Sequence, residues 1–443
     1  MSKAPSPVSA FRASVLHFLS DPGDGDAPHC WQYFDDGVLV VEHGRVTALG
    51  DARAILPNLP AALPVTDFSG HLIMPGFVDT HIHYVQTDVI ASPGTDLLHW
   101  LEQYTFPAER CFADAAHAGE VAEFFLDELL RNGTTTALVF GTVHRQSVET
   151  FFQAAERRGL RMVAGKALMD RNCPEYLRDD AESGYRDSAE LLERWNGRAR
   201  LNYAITPRFA ATSSERQLEL AGQLARAHPD AHIQSHVAEN TAEVAWVRPL
   251  FPASRSYLDV YDRYGLLRPR AVYAHCIYLD EHDRARMAQS GAAVAFCPTS
   301  NLFLGSGLFD IAAADRAGMH TSLATDVGGG TSFSMLRTMG EGYKVAQLSG
   351  TRLSPLRAFY WATLGGARAL GLDDRIGNFL PGKEADFVVL DLAATPLLAR
   401  RASSAETLAE RLFLLMTLGD DRAIKRIFIL GQAAAYSRTG GPS

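Results

Sequence analysis

Residues 73–83 read Ile-Met-Pro-Gly-Phe-Val-Asp-Thr-His-Ile-His, and this stretch carries the sharpest local signal in the sequence. The apolar run 73–78 is typical of a buried strand, and two histidines, His81 and His83, follow it directly. In an extended strand, residues two apart point to the same side, so both imidazoles can reach one metal ion. Two polar histidines at a strand-to-loop junction would give the same pattern, so the stretch alone leaves the metal site open.

From this stretch onward, apolar runs alternate with segments of helical period. Eight such runs with helices between them are typical of a parallel (β/α)₈ barrel. A doubly wound parallel sheet is the competing topology, and periodicity does not exclude it. The runs are 73–78, 135–140, 162–167, 202–205, 231–237, 271–274, 292–296 and 321–324.

Both ends of the chain have short strand patterns instead. Runs at 38–42 and 46–49 precede the alternating region, and runs at 387–390 and 425–430 follow it. We therefore predict an α/β protein with two domains. A TIM-like (β/α)₈ barrel, the catalytic domain, takes residues 75–376. A small β-sandwich domain is formed by both chain ends, residues 1–74 and 377–443.

Composition excludes several classes of protein. The 443 residues carry a formal net charge of −9, and no Lys/Arg-rich run suits strong nucleic-acid binding. An uncharged apolar stretch of about 18 residues, which a membrane span requires, is absent from the sequence. The five cysteines include no C-x-x-C pair, which argues against a disulfide framework or a thiolate zinc site. The N-terminus lacks a signal-peptide core, so we expect a cytoplasmic protein.

Three further side chains stand where apolar runs end. His236 stands at the end of one run, His275 follows the next, and Asp326 comes two residues after the last. Barrel enzymes build their sites at the C-terminal ends of the strands, so we predict a shared metal site. Its candidate ligands are His81, His83, His236, His275 and Asp326. Glu239 lies three residues after His236, where a carboxylate could move protons beside a metal-bound water.

These motifs make the sequence resemble a known family. Residues 75–83 resemble the first-strand motif of the amidohydrolase superfamily, and 377–391 resemble its return into the β-sandwich. Within the superfamily, several stretches are similar to the guanine deaminases. These stretches are 81–86, 104–109, 132–136, 206–209, 232–240 and 297–301.

The resemblance implies a reaction and a cofactor. It implies one Zn²⁺ per subunit, with Fe²⁺ as the less favoured metal, because imidazole and carboxylate suit several divalent ions. Zinc would supply hydroxide to attack C2 of guanine, giving xanthine and ammonia in purine catabolism. Glu239, His275 and Asp326 would be the catalytic residues, and His275 would be either a ligand or a partner of the bound water. A homodimer is a further expectation from the family.

The same resemblance points to substrate-binding residues. Arg208 presents only hydrogen-bond donors, which suits a purine carbonyl at C6 and disfavours the amino group of adenine. Gln86 offers a donor and an acceptor to the amide edge of guanine. Phe209 could stack on the ring, and Leu98 and Trp100 would close the pocket.

Other functions stay open at this point. A related deaminase could act on cytosine, an adenosine-like nucleoside or a triazine, although Arg208 and Gln86 favour guanine. A binuclear hydrolase with a carbamylated lysine would use Lys166. A non-enzymatic relative that keeps the barrel would be expected to lose ligands, and here every candidate ligand and Glu239 are present.

Overall fold

The structure, a computed structural model, describes residues 8–94 and 96–436. Its strands are β1 Val8–Phe18, β2 Trp31–Glu42, β3 Arg45–Asp51, β4 Val65–Pro75, β5 Phe77–His83, β6 Thr134–Phe140, β7 Arg161–Gly165, β8 Ala167–Leu168, β9 Leu201–Pro207, β10 His232–Val237, β11 Ala271–His275, β12 Ala293–Phe296, β13 His320–Leu323, β14 Phe387–Leu390, β15 Ile424–Ile429 and β16 Gln432–Ala433.

The α-helices lie mainly between the middle strands. They are α1 Ala52–Ile55, α2 Leu97–Trp100, α3 Phe106–Glu109, α4 Ala115–Arg131, α5 Arg145–Arg157, α6 Ala181–Trp195, α7 Glu215–Ala227, α8 Thr241–Leu250, α9 Tyr257–Arg263, α10 Glu281–Ser290, α11 Pro298–Phe303, α12 Ile311–Ala317, α13 Met335–Leu348, α14 Pro355–Tyr360, α15 Gly366–Ala369, α16 Pro396–Ala402 and α17 Leu408–Leu418. None of the helices in the described ranges combines the length and the apolarity that a membrane crossing needs.

Strands β5 to β13 form the barrel. Neighbouring strands pair in parallel in the order β5-β6-β7-β9-β10-β11-β12-β13, and β8 continues alongside β9 after β7 ends. The last strand returns to the first, because the Asp326 N–H donates to the His81 carbonyl (3.0 Å) and the His83 N–H to the Val327 carbonyl (2.7 Å). This closure excludes the doubly wound sheet and confirms the predicted barrel.

Strands from both chain ends form a second sheet. Its order is β16-β15-β14-β4-β1-β2-β3, which places C-terminal strands beside N-terminal ones. Register shifts interrupt the pairing of β1 with both β2 and β4. Phe11 packs against Phe387 and Phe428 with ring centroids 4.9 Å apart in each case. The aromatic cluster gives this small sheet a core of its own. Division of the chain at residues 74/75 and 376/377 stays a prediction.

The apolar run 73–78 is two strands and not one, which corrects the sequence-based expectation. β4 belongs to the second sheet and ends at Pro75, whereas β5 belongs to the barrel and starts at Phe77. Gly76 makes the junction, and a Cβ at this position would lie 2.2 Å from Oγ1 of Thr135. Periodicity cannot detect such a change of sheet, because both strands are buried and apolar.

A buried charge network joins the two sheets at their contact. Glu384 accepts from Nε of Arg161 (2.7 Å) and from Nη2 of Arg200 (2.7 Å), and Arg200 also binds Asp386. All four side chains are buried. Each charge in the network is therefore paired, as burial requires.

Candidate metal centre and adjoining pocket

Four of the predicted ligands converge at the C-terminal end of the barrel. Nε2 of His83 lies 3.2 Å from Nε2 of His81 and 3.2 Å from Nε2 of His236. Oδ1 of Asp326 lies 3.2 Å from Nε2 of His81 and 3.5 Å from Nε2 of His83. The ligating atoms of the four residues all lie within 4.8 Å of one another. The strand ends thus bring together side chains that are up to 245 positions apart in the sequence.

The backbone beside the cluster fixes the orientation of one imidazole. Nδ1 of His236 lies 2.7 Å from the carbonyl oxygen of Arg208, which can only accept, so this nitrogen carries the proton. Nε2 of His236 is then left with a lone pair that faces the cluster. Metal-binding histidines are commonly oriented by such a hydrogen bond to their second nitrogen.

The donor set fits a divalent metal ion. Burial lowers the pKa of His81, His83 and His236 below the ordinary histidine value, which keeps these imidazoles neutral. Burial alone would raise the pKa of Asp326, but the neighbouring imidazoles outweigh burial and lower it. Three neutral imidazoles and a carboxylate facing one point are the ligand types of zinc and similar metals. A cation between them would bind these converging lone pairs.

His275 lies at the edge of the cluster. Its Nε2 lies 3.3 Å from Oε2 of Glu239 and 3.7 Å from Oδ2 of Asp326. This buried nitrogen makes no hydrogen bond within the described part of the chain, so it is available to a metal or to a water beside it. Nδ1 of His275 is held by Oδ1 of Asn301 at 2.8 Å, which turns Nε2 towards the site.

Glu239 faces the cluster from the end of β10. The Ser306 hydroxyl donates a hydrogen bond to Oε1 of Glu239 (2.8 Å), and Oε2 of Glu239 faces Nε2 of His275. Burial raises the pKa of Glu239 to about 7. The side chain of Glu243 accepts from the Glu239 N–H at 2.9 Å and so fixes the backbone here. A carboxyl with this pKa can take up and release a proton near neutral pH.

The cluster opens into one cavity of about 430 Å³, part of it open to solvent. Gln86, Trp100, Arg208 and Phe209 line this cavity together with Glu239. The structure does not bring Leu98 to it; its neighbours Leu97 and Leu101 line the wall instead. Trp100 is held by a hydrogen bond from its indole N–H to the Ser92 carbonyl (3.0 Å).

Sequence reasoning missed several residues of this site. Glu109, Asn301 and Ser306 hold candidate site residues by hydrogen bonds, and Glu243 lines the cavity. Glu109 and Asn301 lie in the stretches 104–109 and 297–301 that carried the resemblance, and this was their only signal. Ser306 lies in neither stretch and has no pattern of its own.

Lys166 is buried and is not among the residues that line the cavity. Its ammonium pairs with Asp179. A carbamylated lysine would be anionic and would repel that carboxylate. The structure therefore offers the binuclear alternative no second metal position at this lysine.

Comparison with known proteins agrees with this geometry. Residues 72–434 match the amidohydrolase family. The chain belongs to the amidohydrolase family. A guanine deaminase of Escherichia coli (strain K12) is 51% identical to this amidohydrolase over 401 residues, which cover 90% of this chain and 91% of that protein.

Two solved structures extend the comparison. The E. coli guanine deaminase matches with a TM-score of 0.95 at 49% identity, covering 97% of this chain and 100% of that chain. A guanine deaminase from C. acetobutylicum with bound guanine matches with a TM-score of 0.87 at 28% identity, covering 97% of this chain and 100% of that chain. The resemblance read from the sequence motifs is confirmed.

Proposed function

We propose that this amidohydrolase is a guanine deaminase, which converts guanine and water into xanthine and ammonia. The observation that carries the proposal is that Arg208, Gln86 and Glu239 line the same cavity as the cluster of candidate ligands. The 51% identity to a guanine deaminase over 90% of the chain supports the same substrate.

We propose Zn²⁺ as the metal, one ion per subunit. His81, His83, His236 and Asp326 would hold it, and His275 would lie beside it as a fifth ligand or as a hydrogen-bond partner of water. When bound, the metal lowers the pKa of water and so makes hydroxide available near neutral pH. Imidazole and carboxylate ligands suit Zn²⁺, and Fe²⁺ is the less favoured alternative.

The proton transfers fall to Glu239. Its Oε2 faces His275 and the cluster, so it is placed to take the proton from the attacking water. Glu239 would deliver this proton to N3 of guanine. It would then carry the proton of the new C2 hydroxyl to the amino group, so that the C2–N bond breaks, ammonia leaves and the C2 carbonyl of xanthine forms. His275 and Asp326 would orient the attacking oxygen and stabilise charge at the tetrahedral C2. A glutamate that is not a ligand does the same work in zinc nucleobase deaminases of other folds.

Recognition of guanine would fall to the polar and aromatic side chains that line the cavity beside the cluster. The Arg208 guanidinium would donate to the carbonyl at C6, and adenine would leave this donor without an acceptor. Gln86 would bind the amide edge, and Phe209 would pack on the ring. Trp100 would close the cavity. Leu98 has no place in this scheme, and Leu97 and Leu101 take the wall position instead.

Two further proposals concern the protein in the cell. We propose that the enzyme works in the cytoplasm, where guanine from nucleotide turnover is available. We also propose a homodimer. Sedimentation of the purified protein would test the dimer.

Metal exchange tests the proposed reaction. The purified enzyme would be stripped with a chelator and then loaded with Zn²⁺ or Fe²⁺, and ammonia release from guanine would be measured in each state. We expect no turnover in the stripped enzyme and full recovery with Zn²⁺. Unchanged turnover after complete metal removal would contradict the proposal.

A further inference from the structure

Glu109 lies beneath the substrate wall of the cavity. It ends α3, which follows a π-helical turn at Leu101–Thr105, and its side chain is fully buried. Oε2 of Glu109 accepts from Nη1 of Arg208 at 2.6 Å, and Oε1 accepts from Nε2 of Gln86 at 3.1 Å. One carboxylate thus holds both of the polar side chains that face the substrate edge.

These contacts fix what Gln86 can offer to a ligand. Its Nε2 donates to Glu109, and its Oε1 accepts from the Gly328 N–H at 3.2 Å. The amide is therefore oriented at both ends, and a flipped amide would lose both bonds. Gly328 also has no room for a side chain, since a Cβ would lie 2.6 Å from the Gln86 carbonyl oxygen.

The Glu109 carboxylate also neutralises the charge of Arg208 beside the cavity. Arg208 is almost fully buried, and its guanidinium also lies over the ring of Phe106, 5.4 Å from the centroid. A buried guanidinium without a counter-charge would attract an anionic ring strongly. Among the described residues the Arg208 guanidinium donates to Glu109, which leaves it further N–H donors for a ligand, and the pair has no net charge.

We propose that Glu109 is a positioning residue that makes this wall selective for neutral rings over anionic rings. The inference rests on the proposed function for the identity of the rings. Guanine is neutral near pH 7, whereas xanthine has an imide N–H between two carbonyls and loses a proton more readily. Glu109 therefore disfavours the ionised product and promotes its release.

The experiment compares guanine and xanthine in the holoenzyme and in Glu109→Gln. Steady-state kinetics give KM and kcat for guanine, and xanthine inhibition gives Ki at several pH values. We expect the ratio of xanthine Ki to guanine KM to fall at least about tenfold in Glu109→Gln. The fall should increase as pH rises and more xanthine ionises, which a loss of packing alone would not produce. A ratio within about twofold of wild type at every pH would overturn the proposal.

Two further variants separate charge from structure. The double variant Gln86→Glu/Glu109→Gln has one carboxylate beside Arg208 again. We expect it to restore the ratio of xanthine Ki to guanine KM towards wild type even if kcat stays low. Glu156→Gln removes a surface carboxylate paired with Arg198 and should leave the ratio unchanged. A ratio that stays low in the double variant, or that falls equally in Glu156→Gln, would contradict the charge argument.

Failure of this inference is distinguishable from failure of the proposed function. If wild type releases no ammonia from guanine, the proposed function is wrong, and xanthine binding is then measured directly by titration calorimetry. Tighter binding of ionised xanthine to Glu109→Gln than to wild type would still support the role of Glu109. Equal affinities would overturn it. If Glu109→Gln does not fold, xanthine affinity is measured against pH in Glu239→Gln, which removes the cavity carboxyl whose pKa is about 7. An affinity that does not fall as xanthine ionises would overturn the proposal.

Discussion

The carbonyl oxygen of Arg208 accepts the Nδ1 proton of His236 at 2.7 Å, while the side chain of the same arginine lines the substrate cavity. One residue after the end of β9 therefore orients a candidate metal ligand with its backbone, and in the proposed function it would orient the substrate with its side chain. Substitutions of Arg208 separate the two roles, because the carbonyl remains in every variant.

Arg208→Lys should keep the metal and lose much of the activity. Lysine preserves the positive charge beside Glu109 but lacks the planar fork of donors. We expect unchanged zinc content and a fall in kcat/KM for guanine of roughly 5- to 150-fold, since a lost buried hydrogen bond costs about 1–3 kcal/mol. Metal analysis and steady-state kinetics check this. Arg198→Lys on the surface is the matched control, and loss of zinc from Arg208→Lys would contradict the separation.

Glu239→Gln should retain fold and metal but release almost no ammonia. Glutamine cannot carry the proton, and the loss of a general acid–base group typically costs about 10²- to 10⁴-fold in rate. Ser306→Ala removes the hydroxyl that donates to Glu239, so we expect a smaller fall, roughly 5- to 10-fold. Ammonia assays with metal analysis measure both variants. Turnover close to wild type in Glu239→Gln would exclude the proton transfer assigned to it.

The sequence was sufficient for the barrel and for the positions of the candidate ligands, for a physical reason. His81, His83, His236 and Asp326 each stand where an apolar run ends, and the C-terminal ends of barrel strands meet at one face. The structure closes these strands into one ring and brings the four side chains together.

Other features depend on tertiary placement that the sequence pattern does not encode. Leu98 was expected at the cavity, but α2 is only four residues long. So short a helix shows no hydrophobic periodicity from which the side that faces the cavity could be predicted. Glu109 reaches Arg208, 99 positions away, only because α3 packs under the cavity. Ser306 reaches Glu239 across 67 positions from a loop. Contacts of this kind leave no local signal.

Metal removal should destabilise the folded protein. Without a cation, the converging lone pairs of His81, His83 and His236 remain buried next to Asp326. A ligand that binds only the folded state stabilises it by about 4 kcal/mol when present at about 1,000 times its Kd. We therefore expect a chelator to lower Tm by several degrees and zinc to restore it. A Tm that is the same with and without chelator would contradict a metal site at this cluster.

His232 should make stability depend on pH below neutrality. Burial lowers its pKa to about 4, although its Nε2 contacts the Leu370 carbonyl at 2.7 Å. The unfolded state, with a histidine pKa of about 6.5, binds the proton more tightly. Above about pH 6.5 His232 is neutral in both states and does not lower the unfolding free energy. As pH drops towards 4, the unfolded state takes up the proton first, and the unfolding free energy falls by about 3 kcal/mol. His232→Gln should flatten this part of the curve in urea titrations, and an equally steep curve would contradict the assignment.

Glu384→Ala should weaken the contact between the two sheets. The substitution leaves Arg161 without its partner and leaves Arg200 with Asp386 alone. Breaking a buried ion pair from one side costs about 3–5 kcal/mol. Urea denaturation measures the change. The surface pair supplies the control, since Glu156→Ala should cost no more than about 1 kcal/mol. Equal losses in the two variants would contradict a structural role for the buried network.

Ammonia release by purified, zinc-loaded wild-type protein, with guanine, adenine, cytosine and an aminotriazine as separate substrates, tests the proposed function most directly. We expect rapid release from guanine, with xanthine as the product, and at most trace release from the other three. Rapid release from adenine or cytosine, with guanine inert, would contradict the roles given to Arg208 and Gln86.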